Sequence, residues 1–447
     1  MNYRKSMMPD ENGELVIGGV KASDLRAKYG TPLYVMDVDF IKSVCKAFKD
    51  TIANCYDGYG YVAFASKAFS CKAIYAIMKK LDMNIDVVSS GEIYTALSSG
   101  FDISKAYFHG NNKLVSELEY AVSNNIGVVV IDNIEEIDLL DEICAAKGIV
   151  QKVNIRTNPG VEAHTHSYIQ TAKIDSKFGF SIENGDAMQA ILKIMQCKNL
   201  HLNGVNCHIG SQIFDSSAFR LAVDVMTDFI LAIDKQTGYK VPELNMGGGF
   251  GVHYTENDPK YTLDDYCNYI SIIALAIKDA VSSKGIHKPR LVVEPGRSIV
   301  GESGITLYSV GNIRDIKGIK KYVCIDGGMF DNIRPALYQA EYEAVIATDC
   351  NAKKEEIVSI AGKCCESGDI IIENINFPKA KRGDLIAVFT TGAYGYSMAS
   401  NYNRNAIPPV VMVENGKSDY AVKPQTFEDI TRNDNIPDFL KWFFKFW

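Results

Sequence analysis

The stretch 61-YVAFASKAFSCKAI-74 joins a segment of strand character to a helical pattern and carries one lysine, Lys67, at the junction. Tyr61–Ala65 is apolar and contains aromatic and β-branched residues, whereas the residues after Lys67 repeat apolar positions at helical spacing. A lysine in these surroundings should lose hydration, which lowers its pKa towards the neutral, nucleophilic amine. A surface lysine that begins a helix fits the same pattern, so the rest of the chain has to decide.

Seven further segments of strand character follow, and each is separated from the next by enough residues for a helix. They are Ile85–Val88, Ala106–His109, Val128–Ile131, Lys152–Arg156, Gly204–His208, Glu243–Met246 and Leu291–Glu294. Strands that alternate with helices form parallel sheets, and eight such units in about 250 residues fit a closed barrel. We therefore predict an α/β fold with a (β/α)₈ TIM barrel over residues 38–300.

Polar and glycine residues follow these segments, at the strand ends where barrel enzymes build their active sites. The strand exits carry Lys67, Ser89–Glu92, His109–Asn112, Asp132–Asn133, Arg156, His208–Ser211, Gly247–Gly249 and Glu294–Arg297. An open doubly wound sheet is the alternative, but the glycines after Met246 lack the GxGxxG spacing of a dinucleotide site. The clustering at strand exits favours the barrel.

From about Gly301 the pattern changes to short strand-like segments without helices between them. They are Ile305–Val310, Tyr322–Ile325, Ala344–Ala347, Ile357–Ala361, Asp384–Phe389 and Val410–Val413. Such a series is typical of an antiparallel β domain. Residues 1–37 also contain strand candidates, so we predict that 1–37 and 301–447 together form one β domain.

The composition indicates a cytoplasmic protein. The chain has 447 residues, of which 47% are apolar, so it can bury a large core and form two domains. A net charge of −7 disfavours nucleic acid as a partner, and the 11 cysteines lack a CxxC pair, which indicates reduced thiols. No uninterrupted apolar run reaches the about 18 residues of a membrane span. We therefore expect no membrane partner.

Three of the strand exits have complementary chemical needs. Gly247–Gly249 and Gly296 expose backbone amides that can surround a phosphate, although a tight turn explains such glycines equally well. Glu294 ends an apolar strand, where an unpaired carboxylate is costly. Pyridoxal phosphate meets these needs together, since it offers a phosphate to the glycines, a pyridine nitrogen to Glu294 and an aldehyde to Lys67. His208 could be a core histidine, but its place after a strand favours contact with the ring.

Three segments of the β domain contain more functional residue types than packing requires. They are DNIRPALY (331–338), CCESGD (364–369) and GAYGYSM (392–398). Arginines bind carboxylates in a bidentate manner, which suits an amino-acid substrate, and a cysteine beside an acid can donate a proton. His164 and His166 have a spacing that could suit a metal, but no further ligand is evident and no metal site is predicted.

These motifs together resemble the diaminopimelate decarboxylase family, a member of the fold-type III, alanine-racemase-like group of pyridoxal 5′-phosphate enzymes. The resemblance covers nearly the whole chain, through AFASKAF, SSGE, HGNNK, DSKFGF, HIGSQI, GGGFG, EPGR, DGGMFDNIRPALY, CESGD and GAYGYSMASNYN. One departure is Thr171–Ala172, where the family pattern has Thr-Gly before DSKFG. No departure falls on a residue to which chemistry is assigned.

The resemblance implies a role for each matching residue. Lys67 binds the cofactor covalently, and Cys365 is the proton donor. The implied cofactor-binding residues are Lys67, His208, Ser211, Gly248, Gly249, Glu294, Gly296, Arg297 and Tyr394. The implied substrate-binding residues are Arg297, Arg334, Tyr338, Glu366 and Tyr394. In this family the CESGD segment enters the active site of the other subunit, so a homodimer with shared active sites is implied.

The implied activity is that of a carboxy-lyase, which converts meso-2,6-diaminopimelate to L-lysine and CO₂ in the last step of lysine biosynthesis. The nearest alternative is a related decarboxylase that acts on ornithine, arginine, lysine or a carboxylated polyamine. Glu366 disfavours it, because relatives with basic L-amino-acid substrates resemble Cys-Asp at this point. A racemase should have a catalytic tyrosine instead of CESGD. Retention of Lys67 and Glu294 disfavours a cofactor-free regulatory homologue.

Overall fold

A computed structural model describes residues 6–161, 176–260 and 262–441. The first half of its strands are β1 (Met7–Pro9), β2 (Leu15–Ile17), β3 (Val20–Lys21), β4 (Leu33–Asp37), β5 (Gly60–Ala65), β6 (Asn84–Val87), β7 (Ala106–Phe108), β8 (Val128–Ile131), β9 (Gln151–Asn158), β10 (Phe180–Ser181) and β11 (Leu200–Cys207). They are followed by β12 (Glu243–Asn245), β13 (Arg290–Val293), β14 (Gly304–Ile316), β15 (Lys320–Ile325), β16 (Ala344–Ile346), β17 (Lys354–Ala361), β18 (Ile370–Pro378), β19 (Leu385–Val388), β20 (Val410–Glu414) and β21 (Lys417–Val422).

Twelve α-helices are found in the described part of the chain, and most of them lie between the strands of the first half. They are α1 (Ala22–Tyr29), α2 (Val38–Cys55), α3 (Lys72–Lys80), α4 (Ser90–Ser98), α5 (Val115–Ser123), α6 (Ile134–Lys147), α7 (Asp186–Ile194), α8 (Ser217–Thr237), α9 (Leu263–Lys284), α10 (Arg297–Val300), α11 (Arg334–Tyr338) and α12 (Phe427–Thr431). None of them combines the length and apolar character needed to cross a bilayer.

Eight parallel strands form the predicted barrel. They are β5 to β9 and β11 to β13, and β10 adds a two-residue pairing to β9. The sheet closes because β13 pairs with β5 and β8 pairs with β9. Every strand predicted for the barrel is present, with small differences at the ends, so the sequence-based fold prediction is confirmed.

The local sequence explains how the barrel delivers its first polar residue. In β5 the residues from Val62 to Ala65 are buried, as their apolar character predicts. The strand ends in a 3₁₀ turn, Ser66–Ala68, before α3 begins at Lys72. The Ala65 amide donates to the Pro295 carbonyl at 3.2 Å. The turn that carries Lys67 is thus fixed at the C-terminal end of the barrel, where eight parallel strands open towards one site.

The last third of the chain, together with β4, forms a mixed sheet rather than a purely antiparallel one. Its main order is β18-β17-β15-β14-β4-β20-β21, with β19 and β16 attached beside β14. Most pairs are antiparallel, but β15–β17 and β20–β4 are parallel. Strand β4 takes part in one pair of each kind, since it is parallel to β20 and antiparallel to β14.

The mixed sheet and the elements packed on it are called the second unit. The N-terminal residues contribute to this second unit in two ways. Strand β4 lies inside the mixed sheet, between β14 and β20. Strands β1 to β3 form a small sheet of their own. That small sheet packs on the mixed sheet through a buried apolar cluster that includes Leu15, Ile17, Val345 and Val413.

Candidate active site

A cavity of about 620 Å³ opens at the C-terminal end of the barrel, where it is also covered by residues of the second unit. This volume is typical of a pocket for a small organic ligand. Ten of the sequence-predicted site residues line it: Lys67, His208, Ser211, Gly249, Glu294, Gly296, Arg297, Arg334, Tyr338 and Tyr394. Closure of the barrel and attachment of the mixed sheet bring these distant segments together.

Lys67 points into this cavity, and its side chain is 41% exposed there. Its Nζ lies 4.0 Å from Oδ2 of Asp86, a buried residue of β6. Burial lowers the pKa of Lys67, but the negative charge of Asp86 and, more weakly, that of Glu294 raise it above its ordinary value. The predicted direction of this pKa shift is therefore wrong, because carboxylates from other strands outweigh the loss of hydration.

Glu294 is buried at the exit of β13 and is well provided with hydrogen-bond donors. Its Oε1 accepts from Asn245 Nδ2 at 2.7 Å and lies 2.8 Å from His109 Nε2, and its Oε2 accepts from Asn206 Nδ2 at 3.4 Å. Burial raises the pKa of Glu294, but His109, Asn245 and Lys67 lower it to about 2. The carboxylate therefore stays ionised in the site at neutral pH.

His208 lies at the exit of β11, beside the turn formed by Gly247–Gly249, which is called the glycine turn below. The Gly248 amide donates to His208 Nδ1 at 3.3 Å, which fixes the orientation of the imidazole. Burial, together with the positive charges of Lys67 and Arg156, lowers the pKa of His208 well below its usual range. The ring is therefore neutral and presents an uncharged face to the cavity.

Gly248 does not line the cavity, because it serves a close approach of two backbones. A Cβ atom at this position would lie 2.1 Å from the Glu294 carbonyl oxygen. Gly249 has a φ of +100°, and a Cβ there would lie 2.0 Å from the Gly210 carbonyl oxygen. The glycine turn thus brings the exits of β11, β12 and β13 into contact.

Two arginines line the cavity, one from the barrel and one from the second unit. Arg297 begins α10 and Arg334 begins α11, and both are 7% exposed. Arg297 Nη2 donates to Ser211 Oγ at 3.1 Å, and Arg334 Nη1 donates to Tyr342 OH at 2.7 Å. Among the residues that the structure describes, no carboxylate forms an ion pair with either guanidinium.

Tyr394 joins the second unit to the turn that carries Lys67. Its backbone amide donates to the Ala68 carbonyl at 2.8 Å, and its ring centroid lies 4.9 Å from Arg297 Cζ. Cys365 and Glu366 are exposed and do not line the cavity of their own chain. Their segment contacts a loop of the same chain, since the Cys365 amide donates to Asn403 Oδ1 at 2.8 Å.

Comparisons with known proteins agree on one family. Residues 39–301 match the family model "Pyridoxal-dependent decarboxylase, pyridoxal binding domain". The diaminopimelate decarboxylase of Bacillus subtilis is 48% identical over 425 residues, which cover 95% of this chain and 96% of the relative. The chain belongs to the diaminopimelate decarboxylase family.

Two further members of the diaminopimelate decarboxylase family extend this result. The enzyme of Staphylococcus aureus is 46% identical over 95% of this chain and 98% of the relative. A crystal structure of the M. jannaschii diaminopimelate decarboxylase in complex with L-lysine matches with a TM-score of 0.90 and 34% identity. It covers 98% of this chain and 100% of that one. The barrel and the mixed sheet therefore keep the arrangement of a diaminopimelate decarboxylase.

The polar groups of the site fit pyridoxal phosphate, the cofactor of this decarboxylase. The backbone amides of Gly249 and Gly296 have no acceptor among the described residues. Buried Ser298 Oγ and Arg297 Nε likewise have no hydrogen-bond partner there. Unsatisfied donors beside one cavity suit a phosphate, while ionised Glu294 suits a protonated pyridine nitrogen.

Several polar residues of the site were not assigned a role from the sequence. Asp86, His109, Arg156 and Tyr254 all line the cavity. His109 and Arg156 stood out only as strand exits, while Asp86 could have been noticed as a charged residue inside an apolar strand. Tyr254 follows the glycine turn by several residues and carries no such signal. The sequence predicted no metal site at His164 and His166, and both histidines lie outside the described residues.

A buried ion pair supports the loop after β7. Lys113 Nζ lies 2.6 Å from Glu136 Oε1 and donates to the carbonyls of Gly110 and Val130, each at 2.8 Å. Burial lowers the pKa of Lys113 and raises that of Glu136, so each group depends on the other for its charge. The pair holds the loop that follows His109 against the exit of β8.

Proposed function

We propose that the chain catalyses the pyridoxal-phosphate-dependent decarboxylation of meso-2,6-diaminopimelate to L-lysine and CO₂, the last step of lysine biosynthesis. The observation that carries this proposal is the pair of buried guanidiniums, Arg297 and Arg334, in the same cavity as Lys67. Buried charges without counter-ions are costly, so they favour a substrate that brings a carboxylate of its own. A second carboxylate beside the one that is lost distinguishes diaminopimelate from ornithine or lysine.

The protein's own groups divide the work of this reaction. When bound, pyridoxal phosphate supplies an electron sink for the bond that breaks. Arg297 and Arg334 bind the carboxylate that remains in the product, which leaves the other end of the substrate at Lys67. Asp86 stabilises the protonated amine of Lys67, and Glu294 keeps a negative charge at the exit of β13, where it lines the cavity. The buried walls exclude water from the reacting end.

The proton that replaces CO₂ comes, in this proposal, from Cys365 of the partner subunit. Cys365 and Glu366 are exposed and lie outside the cavity of their own chain, which supports a role in a second site. The proposed assembly is a homodimer in which each barrel receives the 364–369 segment of the other chain. A cytoplasmic location agrees with the eleven cysteines, all of which are unpaired.

A mixing experiment tests the shared site. Lys67→Ala and Cys365→Ala should each be nearly inactive as homodimers. After subunit exchange at equal concentrations, about one quarter of the wild-type activity should return, because half of the dimers are mixed and each has one intact site. Mixing Lys67→Ala with Glu294→Gln is the matched control, since both defects lie in the same barrel and no intact site can form. Equal activity in the two mixtures would disprove a shared site.

A substrate comparison tests the activity itself. Purified holoenzyme should release CO₂ and L-lysine in equal amounts from meso-diaminopimelate. The kcat/KM for this substrate should exceed that for L-lysine or L-ornithine by at least about 10³-fold, because those substrates leave the buried arginines unpaired. Lysine can be measured by chromatography and CO₂ by a coupled assay. Faster release of CO₂ from ornithine would move the chain to the alternative decarboxylase class.

A further inference from the structure

One phenolic oxygen lies between the two guanidiniums of the cavity. Tyr254 OH accepts from Arg297 Nη1 at 2.5 Å and from Arg334 Nη1 at 3.1 Å. All three residues are 7% exposed. Since both donors meet the same atom, the two positive groups are held close enough for a single carboxylate to bridge them.

The surroundings of Tyr254 hold this oxygen in place. The Asp258 carboxylate accepts from the backbone amides of Tyr254 and Thr255, at 2.9 and 3.1 Å. On the other side, Thr390 Oγ1 donates to the His253 carbonyl at 3.1 Å, which ties the loop to the second unit. The Tyr254 ring also packs edge-on against Tyr342, with 5.5 Å between the centroids. The hydroxyl is therefore placed by the fold before any substrate binds.

The charges around Tyr254 make it more than a neutral spacer. Burial raises the pKa of the phenol, but Arg297 and Arg334 together lower it below its ordinary value. The oxygen accordingly accepts from two cations, and it reduces the repulsion between them while no anion is present. Tyr342 differs in this respect, since its hydroxyl accepts from Arg334 alone.

We propose that Tyr254 couples Arg297 and Arg334 into one receptor for the substrate carboxylate that remains in the product, and so acts as a positioning and specificity-determining residue. This inference rests on the proposed function. Tyr254 takes no part in bond breaking. It sets the spacing and direction of the two guanidiniums, so its loss acts on recognition of the distal carboxylate and not on the chemistry at Lys67.

The test compares two ligands that differ by that carboxylate. L-Lysine keeps it, whereas cadaverine has the same chain and amines without it. Binding of each to the holoenzyme is measured by calorimetry for the wild type, Tyr254→Phe and Tyr342→Phe. Tyr254→Phe should weaken lysine about tenfold or more, since hydrogen bonds to two charged groups are lost, and should leave cadaverine unchanged. Tyr342→Phe should weaken lysine less.

Kinetic measurements and a control variant distant from the cavity complete the experiment. With meso-diaminopimelate, Tyr254→Phe should raise KM by the factor seen for lysine while kcat changes by less than about threefold. Tyr239→Phe, which removes a hydroxyl that donates to the Leu202 carbonyl outside the cavity, should change neither parameter. Cofactor content and thermal unfolding of every variant establish that it is folded and loaded.

The outcomes separate this inference from the proposed function. Equal loss of lysine and cadaverine binding in Tyr254→Phe, or lysine binding unchanged, would overturn the role of Tyr254. If the wild type released no lysine from meso-diaminopimelate, the proposed activity would fail, but the calorimetric comparison needs no turnover and would still decide on Tyr254. A selective loss of lysine binding would then support the carboxylate receptor alone.

Discussion

Replacement of Lys67 by alanine should reduce kcat by at least about 10³-fold, because the only cavity-lining lysine in the described part of the chain is removed. The amine is fixed by the 3₁₀ turn at the end of β5 and lies 4.0 Å from Asp86. No other lysine side chain reaches the cavity from the described residues to replace it. Substrate turnover and the visible absorption of the bound cofactor measure the effect.

A chemical readout makes the Lys67 prediction independent of activity. Borohydride reduction of the wild-type holoenzyme should fix the cofactor on the peptide that contains Lys67, as detected by mass spectrometry, and should fix none in Lys67→Ala. Lys72→Ala is the matched control, since Lys72 is an exposed lysine at the start of α3. Cofactor fixed on another lysine of the wild type would contradict the assignment.

Replacement of Glu294 by glutamine should lower kcat by about 10²–10³-fold, the usual cost of removing one preorganised electrostatic group. The change keeps the size of the side chain but removes the charge that His109 and Asn245 stabilise.

The Glu294→Gln substitution also alters the pH dependence of the unfolding free energy. Because the pKa of Glu294 is lowered to about 2, its contribution is present above its ordinary value of 4.5 and is lost as the pH falls towards 2. Glu294→Gln should lose this part of the acid unfolding profile.

Glu243 provides the matched control for Glu294. It is a second buried carboxylate of the barrel and accepts from Asn154 Nδ2 at 2.9 Å and from Tyr107 OH at 3.1 Å, but it does not line the cavity. Glu243→Gln should affect the unfolding free energy and leave kcat within about threefold of the wild type, as for a structural group away from the reaction. Similar kcat losses in both variants would assign the Glu294 effect to general destabilisation of the barrel.

The barrel was predictable because each of its strands can be recognised from its own residues. Segments such as Val128–Ile131 are continuous apolar runs, and burial on both faces explains them. Strands β18 and β21 were missed, since both contain polar and exposed residues on the outer part of the mixed sheet. The parallel pairing of β4 with β20 could not be predicted, because nothing local to either strand specifies a partner several hundred residues away.

The candidate site was predictable where a motif carries chemistry by itself, as at Lys67, the glycine turn and Glu294. Its electrostatics were not. Asp86 reverses the expected pKa shift of Lys67 because the pairing of β6 with β5 places its carboxylate beside the lysine. Tyr254 gains its importance from two arginines that lie far from it in the sequence. Contacts between distant residues set these properties, so local pattern alone does not reveal them.

The position of β4 has a consequence for the order in which the chain folds. This strand is synthesised before the barrel, yet its neighbours β14 and β20 begin at Gly304 and Val410. Domains generally fold as units during synthesis, and contacts of large sequence separation form slowly. The barrel strands can therefore assemble while both edges of β4 are still unpaired. A chain truncated before Val410 would keep the β4 edge that β20 normally covers unpaired, and such an edge binds chaperones and promotes aggregation.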